Sequence, residues 1–238
     1  MSVYLSASSI SDFIRCPQRV LYRFTKQFPE VPTREMKVGK VVHSALERGW
    51  KERGMALAIA RGEGNFLNLN RIDMQNVEFF IDMFFLNFRD RVGEGDKIEY
   101  SFKLSLYDDV FLVGKMDRIS AGNIYDWKTK SNPPKNLEND VQCIIYDYAY
   151  RTMIGKAPNS ICVASLSKGN LIPYNGSNEL FVKEIFKNII PRMIKTVKSE
   201  SYERLGLFNG SCYKCPYREG CLGKGASNVV DSPEPFDE

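Results

Sequence analysis

The spacing of apolar positions changes period along the chain. Before Gly93 it is helical, from Ile98 to Thr129 it runs in short β-branched and aromatic stretches, and beyond Leu137 it is mostly helical again. Ser6, Ser8, Ser9 and Ser11 precede a basic and aromatic stretch, Phe13 to Phe28, that reads as a capped helix with Cys16 and Pro17 near its start. Pro29 and Pro32 end it. Met36, Val42, Leu46 and Trp50 predict a second helix reaching about Arg53, with His43 close to the apolar stripe. Gly62 to Asn70 reads as a loop, and Arg71 to Arg91, with Phe79, Phe80, Phe84, Phe85 and Phe88, as a core helix. Ile98–Leu106, Val110–Ile119 and Ile124–Thr129 predict a three-stranded meander closed by Pro133 and Pro134. A helix over Leu137–Met153, a strand over Ser160–Ser165 and an amphipathic helix over Leu180–Lys198, interrupted at Pro191, complete the order. There is no internal repeat, and Ser227 to Glu238 reads as a flexible acidic tail.

Length and composition narrow this picture only a little. A chain of 238 residues, 43% hydrophobic and 26% charged, can bury a core without covalent staples. No apolar run reaches the length of about 20 residues that a membrane span needs, and the start of the sequence lacks a signal-like pattern, so a cytoplasmic protein is expected. In a reducing compartment the six cysteines are expected as thiols or metal ligands. The net charge of +4 permits a polyanionic partner without requiring one.

The most informative stretch is Gly114-Lys115-Met116-Asp117 followed by Asp126-Trp127-Lys128. A tight turn at Ala121-Gly122 would pair Ser120 with Asn123 and Ile119 with Ile124, and so set Asp117 across from Asp126. Carboxylates opposed in a sheet start only about 5 Å apart at Cβ, an unfavourable arrangement that a divalent cation relieves. Strand alternation puts Lys128 on the face of Asp126 and turns Trp127 towards the core. Hard oxygens for Mg²⁺ or Mn²⁺ beside an ammonium suit phosphodiester hydrolysis. Glu99, on the strand entering the meander, is a further carboxylate near this site or a solvated edge charge.

These residues resemble the core of PD-(D/E)XK nucleases, in which one aspartate and a following acidic-x-Lys triplet bind metal and activate water. His43, in Gly-Lys-Val-Val-His, is similar to the histidine that RecB-type members add as a metal ligand. Gln142 and Tyr146 match their Gln-x-x-x-Tyr motif and, four apart, share one helix face. The resemblance implies catalytic Asp117, Asp126, Lys128, Gln142 and Tyr146, with His43, Asp117 and Asp126 holding Mg²⁺ or Mn²⁺. The expected fold is α/β, a small mixed sheet flanked by helices carrying His43 and Gln142.

Cys212, Cys215 and Cys221, spaced x2 then x5, can wrap one metal centre, and Cys16 is the natural fourth ligand. The spacing serves zinc and iron–sulfur alike. One early cysteine plus this late motif resembles AddB-type nuclease domains and the CRISPR-associated adaptation exonucleases, which implies a [4Fe-4S] cluster in a helical subregion built from residues 1–30 and 200–225. The expected whole is one nuclease domain over 1–225 and a flexible tail over 226–238. The expected activity is exonucleolytic, on single-stranded DNA or DNA ends, with a helicase or adaptation-complex partner; a nonenzymatic, partner-dependent DNA-binding module is the alternative. Arg15, Arg19, Tyr22, Tyr213 and Tyr217 are candidates to steer and stack a single strand. Cys143 and Cys162 match no motif and are expected in the core.

Overall fold

The computed structural model describes residues 2–25, 32–130, 132, 136–205, 210–213 and 215–223. The expected breaks at Pro29, Pro133 and Pro134, the helix end at Phe28 and the acidic tail lie outside these residues. The serine run at the start does the capping it suggested: Ser6 and Ser9 form a reciprocal capping box that opens helix α1 (Ala7–Arg15). The single helix expected from Phe13 onwards is two. Pro17 pushes the preceding residue out of helical geometry, so Cys16 is extended (φ −170°) between α1 and α2 (Pro17–Thr25).

Helices α3 (Arg34–Gly49), α4 (Arg53–Phe66) and α5 (Arg71–Asn87) pack on one another. Of the loop expected over Gly62–Asn70, residues 62–66 are the last turn of α4, and only 67–70 form the connection to α5. Gly64 lies inside α4, where a Cβ would meet the Met74 side chain on α5, so this glycine sits at a helix contact and not in a turn.

Strands β2 (Lys97–Tyr107), β3 (Val110–Ser120) and β4 (Asn123–Lys128) form the expected meander. Helix α6 (Val141–Ile154), capped by Asp140 and ended by left-handed Gly155, leads to β5 (Ser160–Ser165). Two short strands escaped the sequence pattern: β1 (Val3–Leu5) and β6 (Asn170–Tyr174). Pro173 is tolerated in β6 because that strand pairs with β5 alone, at an edge. The chain continues through α7 (Glu179–Lys183), a π-helical turn (Glu184–Ile189) and α8 (Ile190–Ser199). The π turn sits where Pro191, lacking an N–H, cannot continue the α ladder. A short α9 (Arg218–Leu222) follows.

Among the described residues the six strands form one mixed sheet. β2 pairs antiparallel along nearly all of β3, while β1 pairs with Val110–Leu112 and β4 with Arg118–Ser120. A strand has only two edges, so β1 and β4 share the edge of β3 opposite β2, and between them residues 113–117 have no strand neighbour on that side. This split opens a cavity in the sheet. Alternation along β4 and β5 feeds two cores. Ile124, Ile161 and Val163 pack with α1, α6 and α8, whereas Tyr125, Trp127, Cys162 and Ala164 pack with α3, α4 and α5. The fold is the α/β sandwich expected, with Trp127, Cys143 and Cys162 buried as foreseen. No helix of the described residues is long and apolar enough to cross a membrane.

Candidate active site

Ala121 and Gly122, at φ 47° and 80°, make the tight hairpin turn, and Ser120–Asn123, Ile119–Ile124 and Arg118–Tyr125 are paired in the register the sequence predicted. The ladder stops there, one step before Asp117 and Asp126. β4 leaves β3 at this point, and the Asp117 carboxylate accepts the Trp127 N–H at 2.8 Å, satisfying a backbone donor that the divergence would orphan. The aspartates are thus neighbours as expected, without being a ladder pair.

Each carboxylate has its own partners. Asp117 Oδ2 is 3.4 Å from His43 Nδ1, and His43 Nε2 bonds the Trp127 carbonyl at 2.8 Å, which fixes the ring. Asp126, 2% exposed, meets Lys128 Nζ at 2.8 Å through Oδ2 and accepts Gln142 Nε2 at 2.8 Å through Oδ1. Lys128 Nζ donates to Gln142 Oε1 at 3.0 Å. Gln142 Nε2 also reaches the Tyr146 hydroxyl at 2.6 Å, and that hydroxyl donates to the Lys115 carbonyl at 2.6 Å, on the unpaired edge of β3. The expected shared face of Gln142 and Tyr146 is thereby tied into a closed network around Lys128. Gly114 makes room for it, since a Cβ there would overlap the Phe102 ring, which packs edge-on against Tyr146.

The three donor groups that converge are His43, Glu99 and Asp117, with ligand atoms all within 4.8 Å of one another. Glu99 entered the sequence reading only as one of two options. Register sets it opposite Asp117, between the pairs Ile98–Arg118 and Tyr100–Met116, and its φ of 48° is a left-handed conformation that costs a non-glycine residue about 1–2 kcal/mol. Its carboxylate also pairs with Lys115. The signal that could have found it was register, counted across the Asp108-Asp109 turn.

The electrostatics follow from burial. Desolvation disfavours charge on Asp117, but His43, Lys128 and the Trp127 N–H outweigh it and hold the carboxyl below its usual range. Burial works against a charged His43; the charge and hydrogen bond of Asp117, helped by Asp126, still lift it to about 9. Asp126 is pushed up to about 6 by burial, against the pull of Lys128. Burial also opposes the Lys128 ammonium, yet Asp126 keeps its pKa above the ordinary value.

Two cavities flank this network. One, about 610 Å³, opens along the unpaired edge of β3 and is lined by Ser8, Arg15, Lys115 and Tyr146 among others. The second, about 850 Å³, is lined by Arg34, His43, Asn76 and Phe80. Lys128, Lys130 and Asn132 line both. The pair straddles the end of β4 and offers a cation-rich passage across the network.

At the chain ends Cys16, Cys212, Cys215 and Cys221 line one pocket with Arg19 and Arg218, and none of them is in a disulfide. Among the described residues no three cysteine sulfurs lie within 4.8 Å of one another. A single tetrahedral zinc ion, at a Zn–S bond of about 2.3 Å, would hold them at roughly 3.8 Å. Burial, then Cys16 and Cys221, push the Cys212 thiol up. Of the aromatic candidates for stacking, Tyr22 and Tyr217 are buried against each other with ring centres 5.5 Å apart, so they serve packing, while Tyr213 is exposed.

A crystal structure from Eubacterium rectale, of a protein designated a candidate exonuclease, superposes with a TM-score of 0.63 over 98% of this chain and 91% of that one, at 14% identity. That is a likeness of fold. No curated protein matches the sequence. The family model of the PD-(D/E)XK nuclease superfamily matches residues 4–222, nearly the full length, and the chain belongs to that superfamily.

Proposed function

We propose that the protein is a divalent-metal-dependent deoxyribonuclease that digests single-stranded DNA or DNA ends, as RecB-type members do. The observation that carries this reading is the convergence of His43, Glu99 and Asp117 beside the Lys128–Asp126–Gln142–Tyr146 network, at the meeting of two cation-lined cavities. Two carboxylates and an imidazole fit Mg²⁺ or Mn²⁺, metals that take oxygen and nitrogen donors. His43 and Asp117 would hold the ion with Glu99 as third protein ligand, and Asp126 stands next to them. Bound there, the ion would acidify a water and neutralise charge on the phosphate.

The remaining roles belong to the side chains. Lys128 stays an ammonium at neutral pH, so it stabilises anionic oxygens and does not abstract protons. Gln142 is a positioning residue that holds Lys128 and Asp126 together. Gln142→Leu, similar in volume, leaves both without one partner and should lower kcat about 10–100-fold with KM little changed. A rise in KM at constant kcat would assign Gln142 to substrate binding instead. Arg15, Lys115 and Lys130 line the passage and suit successive phosphates of one strand.

His43 and Asp126 set the pH dependence. Both are raised, so without metal at neutral pH His43 is charged and Asp126 mostly ionised. Ligation through His43 Nδ1 must displace its proton, so Mn²⁺ binding should release about one proton at neutral pH. Affinity should climb as pH rises towards 9 and drop as pH falls through 6, where Asp126 takes up a proton. Calorimetry in buffers of different ionisation enthalpy measures the proton count, and a count of zero removes His43 from the ligand set.

We propose further that Cys16, Cys212, Cys215 and Cys221, which line one pocket, would hold a [4Fe-4S] cluster tying 1–30 to 200–225 within a single nuclease domain over 1–225, as in AddB-type domains and the CRISPR-associated adaptation exonucleases. Four thiols lining one pocket offer the sulfur ligands that such a group takes. Hydrolysis moves no electrons, so its part is structural. A helicase or adaptation-complex partner would supply unwound ends. Incubating the protein with end-labelled single-stranded DNA and Mn²⁺ should give progressive shortening from an end. Binding without cleavage, unchanged in Asp126→Ala, would make it a DNA-binding module.

A further inference from the structure

Among the described residues, two buried side-chain polar atoms have no hydrogen-bond partner: Arg19 Nε and Arg218 Nε. They are nearly two hundred residues apart in sequence, on α2 and α9, yet both arginines line the same pocket, the one formed by Cys16, Cys212, Cys215 and Cys221. A buried guanidinium N–H left unsatisfied is costly, and native structures rarely tolerate it without an acceptor. Each guanidinium also has a partner of its own elsewhere. Arg19 Nη2 bonds Asp12 at 2.9 Å, and the Arg218 guanidinium sits 5.5 Å from the centre of the Tyr213 ring. Of the buried side-chain atoms among the described residues, these inner N–H groups alone lack a partner. Arg204 adds a third guanidinium to the pocket lining, held by the Cys221 carbonyl at 3.0 Å.

We infer that Arg19 and Arg218 are positioning residues for the iron–sulfur group, donating their Nε–H bonds to its sulfur atoms. This rests on the cluster reading given above. A cluster held by four thiolates is anionic and presents sulfur acceptors on every side, which answers both the orphaned donors and the three positive charges gathered around a pocket that has no acidic side chain among its described lining residues. Hydrogen bonds to sulfur and nearby positive charge both raise a cluster's reduction potential and stabilise it, so these residues tune the cluster as well as hold it.

Anaerobically purified holoprotein tests this directly. Arg19→Lys and Arg218→Lys keep the charge and remove the Nε–H donor. The fraction of each variant that carries iron and sulfide should show a lower reduction potential and severalfold faster bleaching in air, while Arg53→Lys, at an exposed ion pair with Asp82, behaves as wild type. If neither lysine variant retains cluster, the wild type labelled with ¹⁵N at arginine Nε should still show nitrogen hyperfine coupling to the reduced cluster in pulsed electron paramagnetic resonance. Loaded variants with wild-type potential and bleaching, or labelled protein without coupling, overturn the inference and leave the cluster reading intact. Wild-type protein that contains stoichiometric zinc and no iron overturns both.

Discussion

Asp117→Asn should reduce cleavage of end-labelled single-stranded DNA by about a thousandfold while leaving DNA binding and folding close to wild type. The substitution is isosteric, and the amide oxygen can still accept the Trp127 N–H that the diverging strands leave unpaired. What is lost is the negative charge. That charge is what keeps His43 charged against burial, and it is one of the two carboxylates in the His43–Glu99–Asp117 group. Single-turnover cleavage, DNA binding by anisotropy and thermal melting on the same preparation separate the effects. A variant that cuts within about tenfold of wild type would remove Asp117 from the reaction. Glu99→Gln separates the two ligand sets. If Glu99 belongs with His43 and Asp117, Mn²⁺ affinity should fall about 10–100-fold, and unchanged affinity would restore the set His43, Asp117 and Asp126.

Much of this site was legible because its determinants are local. The Ala121-Gly122 turn demands left-handed backbone at both residues, and that alone set the register of β3 against β4. Alternation by two placed Lys128 with Asp126, and a spacing of four put Gln142 above Tyr146. What stayed hidden depends on pairings distant in sequence. Glu99 meets Asp117 only through the β2–β3 register and an unusual φ at a single residue. The unpaired edge along residues 113–117, which admits the cavity, exists because a three-residue strand from the start of the chain takes one end of β3 and β4 the other. A strand as short as β1 has no period to detect. Gly64 misled for the opposite reason. It lies inside α4 beside the Met74 side chain on the next helix, and a glycine within a helix looks the same in sequence as a glycine for a turn.

Cys212→Ser should lower folded yield, thermal stability and nuclease activity together. Helix α9 has five residues, none of them buried, and the links of the segment around it include the Tyr22–Tyr217 ring contact and a Tyr22–Cys221 hydrogen bond to α2 and a hydrogen bond from Arg204 to the Cys221 carbonyl. So little apolar burial cannot by itself offset the entropy of ordering the segment, at about 1–2 kcal/mol per residue of backbone. Thiolate ligation would supply the difference. Losing one ligand belongs with the large destabilisations, about 3 kcal/mol or more. At about 2–4 °C per kcal/mol for a chain of this size, that is a fall in Tm of roughly 6–12 °C, accompanied by loss of the visible absorbance that the proposed cluster would give. Cys162→Ala is the matching control, since it removes a buried sulfur from the opposite core and should cost about 1 kcal/mol with that absorbance and cutting unchanged. Activity should fall along with the ends of the chain because α1, which lines the 610 Å³ cavity through Ser8 and Arg15, runs directly into Cys16. A Cys212→Ser protein that melts as wild type yet no longer cuts would move the cysteine from scaffold to chemistry. One that melts and cuts as wild type would leave the chain ends held by packing alone.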